Sequence, residues 1–85
     1  MSGPRRLYLP DPVVVRTGPE GRPRQVAGKR VDVVRESWLV EDRWWTTSPL
    51  RRRYWEVVTE CGEHVVVFRD LTATGAWFRQ RGTIT

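Results

Sequence analysis

Apolar and polar positions alternate most clearly in the second half of the chain. Two runs rich in valine and aromatic residues, 52–60 and 63–70, flank Cys61 and Gly62 there. A period of two over such lengths marks half-buried strands, and a two-residue connection with a glycine able to take positive φ marks a hairpin turn. With Cys61 and Gly62 as the turn, Glu60 faces Glu63, and the pairs Val58/Val65, Val57/Val66, Glu56/Val67 and Trp55/Phe68 follow. That register gives an expected core face of Trp55, Val57, Val66 and Phe68. The other face holds Tyr54, Glu56, Val58, Val65, Val67 and Arg69 and is too apolar to be wholly exposed. The hairpin is therefore expected to curl into a barrel or to have its second face covered.

The same reading extends in both directions. Residues 12–16 (PVVVR) form a β-branched run, and Thr17, Gly18, Pro19, Glu20 and Gly21 concentrate turn chemistry. Residues 22–27 return as a strand that Pro23 restricts to an edge or a late start, which makes a first hairpin ending at the Gly28, Lys29 break. In 30–40, Val31 and Val33 alternate before the apolar phase moves to Val34, Trp38 and Val40. A bent strand with a bulge near Val33 and Val34 accommodates this. Helical spacing also joins Val31, Val34, Trp38 and Trp45, but valines and the lack of a capping residue disfavour a helix. Residues 46–50 (TTSPL) read as a loop, with Pro49 biasing Ser48 to extended backbone. Residues 71–75 are a connector, and 76–81 form a last strand with Trp77 and Phe78 on opposite faces. The expected fold is all-β: a small, strongly bent sheet or SH3-like barrel of five or six short antiparallel strands with at most one short helix. Residues 1–11, with Gly3, Pro4 and Pro10 and no periodicity, read as a flexible arm, and 12–85 as a single small β domain.

At 85 residues the chain holds one core at most, and five tryptophans, two phenylalanines and two tyrosines supply much of it. All of the fifteen basic residues except Lys29 are arginine, and the net charge is +5, compatible with a polyanionic partner. The one cysteine, Cys61, excludes an internal disulfide and a thiolate metal cluster. The one histidine, His64, lies three residues from Cys61 across a tight turn with no orienting acid, so His64 reads as a strand residue at the solvent edge and Cys61 as an exposed thiol. Glu41 and Asp42, the only adjacent acids, read as a solvated face. No phosphate-cradling loop, Walker motif or metal-ligand spacing occurs, so no catalysis, metal, cofactor or small-molecule substrate is expected. Neither a secretory leader nor an apolar membrane span is expected, and the expected compartment is the cytoplasm.

The candidate chemistry lies in 43–55. Arg43, Arg51, Arg52 and Arg53 stand among Trp44, Trp45, Tyr54 and Trp55, and no acidic residue falls between Arg43 and Trp55. These arginines are therefore expected to lack a local acidic partner. Aromatic faces stack unpaired bases, at about 1–3 kcal/mol per base, while arginines hold the phosphates between them. The expected nucleic-acid-binding residues are Arg43, Trp44, Trp45, Arg51, Arg52, Arg53 and Tyr54, with single-stranded DNA the favoured ligand. Trp55 fits the core face better, and of Trp44 and Trp45 one is expected to be buried and one partly exposed. The competing reading makes the tryptophans a core with arginines lying over them. Tryptophan and arginine are also common interface anchors, so docking on a protein partner, by this patch or by a free sheet edge, is the second functional expectation.

One family shares this order of features: a hairpin with a Gly-rich turn (GPEGRP), a valine strand (RVDVV), a Trp-rich segment (SWLVEDRWW), a strand opening in arginines and aromatics (RRRYWEVV), a Gly turn, a strand ending VVVFRD, and a late GAWF. The chain resembles a group of short bacterial domains similar to the C-terminal extension of ImuB-like proteins. Those proteins are catalytically inactive relatives of Y-family translesion polymerases that work with a RecA-like partner and an error-prone polymerase. The resemblance covers about residues 12–82 and implies a role in DNA damage tolerance, with a translesion polymerase complex as partner, but no catalytic residue. The chain departs from the pattern in its heavier arginine run and in having Val26 and Ala27 where an aromatic is expected.

Overall fold

The computed structural model describes residues 10–42, 50–72 and 75–80. Seven antiparallel strands form one sheet: β1 (Asp11–Pro12), β2 (Val15–Thr17), β3 (Pro23–Val26), β4 (Lys29–Asp42), β5 (Leu50–Thr59), β6 (His64–Asp70) and β7 (Trp77–Arg79). The all-β expectation holds. The count exceeds five or six because the 12–16 run breaks in two, and pairing begins at Asp11, the last residue of the expected arm. The only helical element described is a 3-10 turn, Pro19–Gly21.

The break in that run shapes the domain. Strand order is β1-β7-β6-β5-β4-β3-β2, so β1 and β2 sit at opposite ends of the sheet although only Val13 and Val14 separate them. Val13 N donates to Trp77 O (3.2 Å) and Ala27 N to Val14 O (2.8 Å), which ties the segment to both ends. From Pro12 to Val15 is three residue steps, about 11 Å at most, so the sheet must curl into a half-barrel to bring its ends together. Bending also arises within β4, whose pairing with β5 shifts between Val31 and Val33 and again between Val34 and Glu36. The bent strand expected near Val33 and Val34 is therefore present, and it continues to Asp42.

The β5–β6 hairpin corrects the expected register by one residue. Its loop has three residues, Glu60, Cys61 and Gly62, closed by Thr59 N donating to Glu63 O (3.0 Å) and Gly62 N donating to Thr59 O (2.8 Å). Gly62, at φ +82°, takes the left-handed position such loops require. The pairs are accordingly Val58/His64, Val57/Val65, Glu56/Val66, Trp55/Val67 and Tyr54/Phe68. A slip of one residue turns each β6 side chain to the opposite face. Val65 and Val67 therefore join Val57 and Val26 in the core, with Val13, Val15, Val31, Val34, Trp55 and Trp77 packed around them. Val66 and Phe68, expected inside, face the other way. Trp55 takes the core side as expected, and Trp77 and Phe78 diverge as expected, Trp77 to the core side and Phe78 to the opposite one.

Two local features yield measurable expectations. Ala27 (φ 52°) and Gly28 (φ 84°) form the two-residue turn between Val26 and Lys29, a geometry that favours Asn-Gly. Ala27→Asn should therefore raise unfolding stability by about 0.5–1 kcal/mol, read as a higher denaturant midpoint. An unchanged or lowered midpoint would contradict the turn assignment.

Glu63 joins three strands: Arg79 Nη2 lies 3.0 Å from its Oε2 and Lys29 Nζ 3.5 Å from its Oε1. The hydrogen bond from Arg79, then the charges of Lys29 and Arg79, hold its carboxyl below the ordinary 4.5. A depressed folded-state value means that the contribution is present above about pH 4.5 and is lost as pH falls through the lowered value. Glu63→Gln should flatten the acid limb of the stability–pH curve. An unchanged limb would show that the cluster contributes nothing to acid sensitivity.

Candidate nucleic-acid interface

The side of the sheet opposite the core is built around aromatic rings. Cross-strand register aligns Trp38 with Tyr54, Tyr54 with Phe68, Phe68 with Phe78, and Phe78 with Pro12, in one row across β4, β5, β6, β7 and β1. Trp38 and Tyr54 stack with centroids 5.3 Å apart and planes 4° from parallel. Tyr54 and Phe68 are 5.0 Å apart and tilted by 38°, and Phe68 and Phe78 are 5.3 Å apart at 23°. Each contact of this kind contributes about 0.5–1.5 kcal/mol beyond the area it buries. Arg52, two residues before Tyr54 and on the same side, lays its guanidinium 4.4 Å from the Phe68 centroid and donates from Nη1 to Tyr54 Oη at 3.3 Å. Phe68 is thereby buried at 2% exposure, whereas Trp38, at the β4 end of the row, keeps 37%.

This arrangement divides the expected arginine run. Successive strand residues point to opposite faces, so Arg52 belongs to the aromatic row while Arg51 and Arg53 lie on the other side of β5. Arg51 is not without an acidic partner: across the β4–β5 pair its Nε donates to Glu41 Oε2 at 2.8 Å. The absence of acids within 43–55 concealed this because the partner comes from the neighbouring strand, and Glu41 is an ion-pair partner rather than part of a merely solvated face. Arg53 is exposed and stands opposite Leu39 on β4 and Arg69 on β6. Tyr54 is half-buried in the row, and Arg43, Trp44 and Trp45 lie outside the described residues. Trp38, Phe68 and Phe78 were missed as members of the site. The signal available was the hairpin itself, since a three-residue loop ending in Gly62 aligns Tyr54 with Phe68.

Charge runs along the strands. Toward the Thr59 end the row is followed on the same side by Glu36 facing Glu56, and toward the Leu50 end by Arg52 facing Asp70. Asp70 is engaged in its own turn, its Oδ1 accepting from Thr72 N (2.9 Å) and Thr72 Oγ1 (2.8 Å). At the turn end, Cys61 is exposed with its Sγ 3.3 Å from Thr59 Oγ1, and His64 is exposed opposite Val58. Among the described residues no group of three His, Cys, Asp or Glu side chains is placed to hold a metal ion, and no helix is long and apolar enough to cross a membrane.

Fold and site together define a class: a small antiparallel half-barrel carrying an aromatic row on the face opposite its core, with Arg52 seated on the row. Comparison with protein-family models, curated proteins and solved structures found no match.

Proposed function

We propose that this domain is a non-enzymatic accessory module that binds single-stranded nucleic acid on the aromatic side of its sheet. The observation that carries the reading is the row of rings ending in the partly exposed Trp38, with the Arg52 guanidinium seated on it. A base added to the Trp38 end extends an existing stack, and Arg52, on the same side, supplies charge for a flanking phosphate at the Leu50 end of β5. The resemblance to ImuB-associated domains supports a cytoplasmic role in DNA damage tolerance, beside a translesion polymerase. Fluorescence anisotropy of a labelled single-stranded oligonucleotide tests the proposal. Binding should strengthen at low salt, with a log–log slope of about −0.7 for the one phosphate held by Arg52. No anisotropy change at low salt, or binding indifferent to salt, would overturn it.

The free edge of β4 favours a second reading. β3 pairs with β4 only through Gln25/Arg30 and Val26/Lys29, so from Val31 onward β4 is paired on one side only among the described residues. Such an edge accepts an added strand from a protein partner. In that case a polymerase or RecA-like partner would protect β4 amides from hydrogen exchange, and its binding would survive conversion of Arg51, Arg52 and Arg53 to glutamate.

A further inference from the structure

Where β3 and β4 part company the sheet opens into a notch of about 590 Å³, lined by Arg16, Arg22, Arg24 and Arg30 over Val31 and Val34. We propose that this notch is an anion site for a phosphate-bearing ligand, distinct from the aromatic row. Register aligns two of the four arginines. Arg16 pairs with Gln25 and Gln25 with Arg30, so two guanidinium-bearing residues flank one glutamine in a row across β2, β3 and β4. Arg24 is placed by Gly18, where an added Cβ would lie 2.4 Å from Arg24 Cδ, so the bare backbone gives the arginine stem room to lie against the loop. That loop is tied down by Gly18 N donating to Arg22 O (2.8 Å) and Gly21 N donating to Gly18 O (3.1 Å), which holds Arg22 at the rim.

The charge balance points to an anion. Among the described residues, Asp32 is the one carboxylate lining the notch. Arg30 reaches Glu60 at 3.9 Å, whereas Arg16, Arg22 and Arg24 have no carboxylate partner among the described residues. Like charges gathered in a concavity with apolar walls focus their field and raise the local concentration of anions. The volume falls within the roughly 300–1,000 Å³ of small-ligand clefts. Guanidinium groups grip phosphate oxygens two at a time, while Val31, Val34, Pro19 and Pro23 offer an apolar wall to whatever carries the phosphate. The phosphate can come from a free nucleotide or from a nucleic-acid strand.

Amide correlation spectra of the ¹⁵N-labelled chain, titrated with inorganic pyrophosphate, test the site. Saturable shifts are expected at Thr17, Gly18, Gln25 and Val31 and not at Trp38 or Tyr54. The Arg22→Gln/Arg24→Gln variant should weaken the affinity at least tenfold, with unchanged shifts at Val57 and Val67 showing an intact fold. Displacement of pyrophosphate by a mononucleotide, or only by an oligonucleotide, would identify the source of the phosphate, and either supports the site. Absence of saturable shifts, equal affinity in the double variant, or the same shifts with sodium chloride at equal ionic strength would overturn it. Because the readout is local to the notch, failure here leaves the aromatic-row proposal standing, and success does not depend on it.

Discussion

Phe68→Ala is expected to lower the unfolding free energy by about 3–4 kcal/mol, among the largest effects of any single substitution in the domain. Phe68 lies on the side of the sheet away from the valine core, yet it is 2% exposed. Tyr54, Phe78 and the Arg52 guanidinium enclose it, so its removal breaks two ring contacts and a cation–π contact together. A chain of this size has about 4–13 kcal/mol of stability in all, so the variant is expected to populate unfolded molecules at 25 °C. Phe68→Leu, which keeps much of the volume, should cost about 1–2 kcal/mol and remain folded. Denaturant titration of both variants, with Val66→Ala and Val67→Ala beside them, reads the register as well. Val67 is fully buried and Val66 is not, so Val67→Ala should be the more damaging of the pair. The reverse order, or a negligible loss at Phe68→Leu and Phe68→Ala alike, would contradict the hairpin pairing.

Trp38→Ala should produce the largest effect on function with a small effect on folding. Trp38 stacks on Tyr54 but keeps 37% of its surface exposed, so its loss removes one ring contact, about 0.5–1.5 kcal/mol of stability. As the ring on which an added base stacks, it should contribute about 1–3 kcal/mol to oligonucleotide affinity, a loss of roughly 5-fold to 150-fold. Trp38→Phe should retain much of the affinity because a π face remains. Anisotropy titrations, with thermal unfolding of each variant, separate the two effects. Unchanged affinity in Trp38→Ala would remove the aromatic row from the binding surface and leave the free β4 edge as the stronger candidate.

The sequence revealed its strands where alternation was strong and lost its faces where one residue decided them. Val33 and Val34 disturb the alternation of β4, and the strand bends there. Trp77 and Phe78 were correctly assigned to opposite sides because adjacent strand residues must diverge. The hairpin was correctly located but misaligned, because Glu60-Cys61-Gly62 is a three-residue loop, and glycine suits the left-handed position of a two-residue or a three-residue turn equally well. That single residue moved Phe68 from the expected core to the centre of the aromatic row.

The candidate site was less legible than the fold. A run of three arginines reads as one patch along the chain, but a strand distributes it over two faces, and only the fold reveals that Glu41 meets Arg51 across the sheet. Trp38 and Tyr54 lie sixteen positions apart in sequence, and two register shifts in β4 set their alignment. Local pattern contains no record of such shifts. The notch arginines, Arg16, Arg22, Arg24 and Arg30, are spread over three strands and a loop, and no motif spacing joins them.

The most direct measurement of the central claim is an amide and indole correlation spectrum of the ¹⁵N-labelled domain titrated with a short single-stranded oligonucleotide at low salt. Binding on the aromatic side predicts the largest shifts at the Trp38 indole N–H and at the amides of Tyr54, Arg52 and Val40, fading as salt is raised. No shift at these positions, or shifts confined to residues lining the arginine notch, would contradict it.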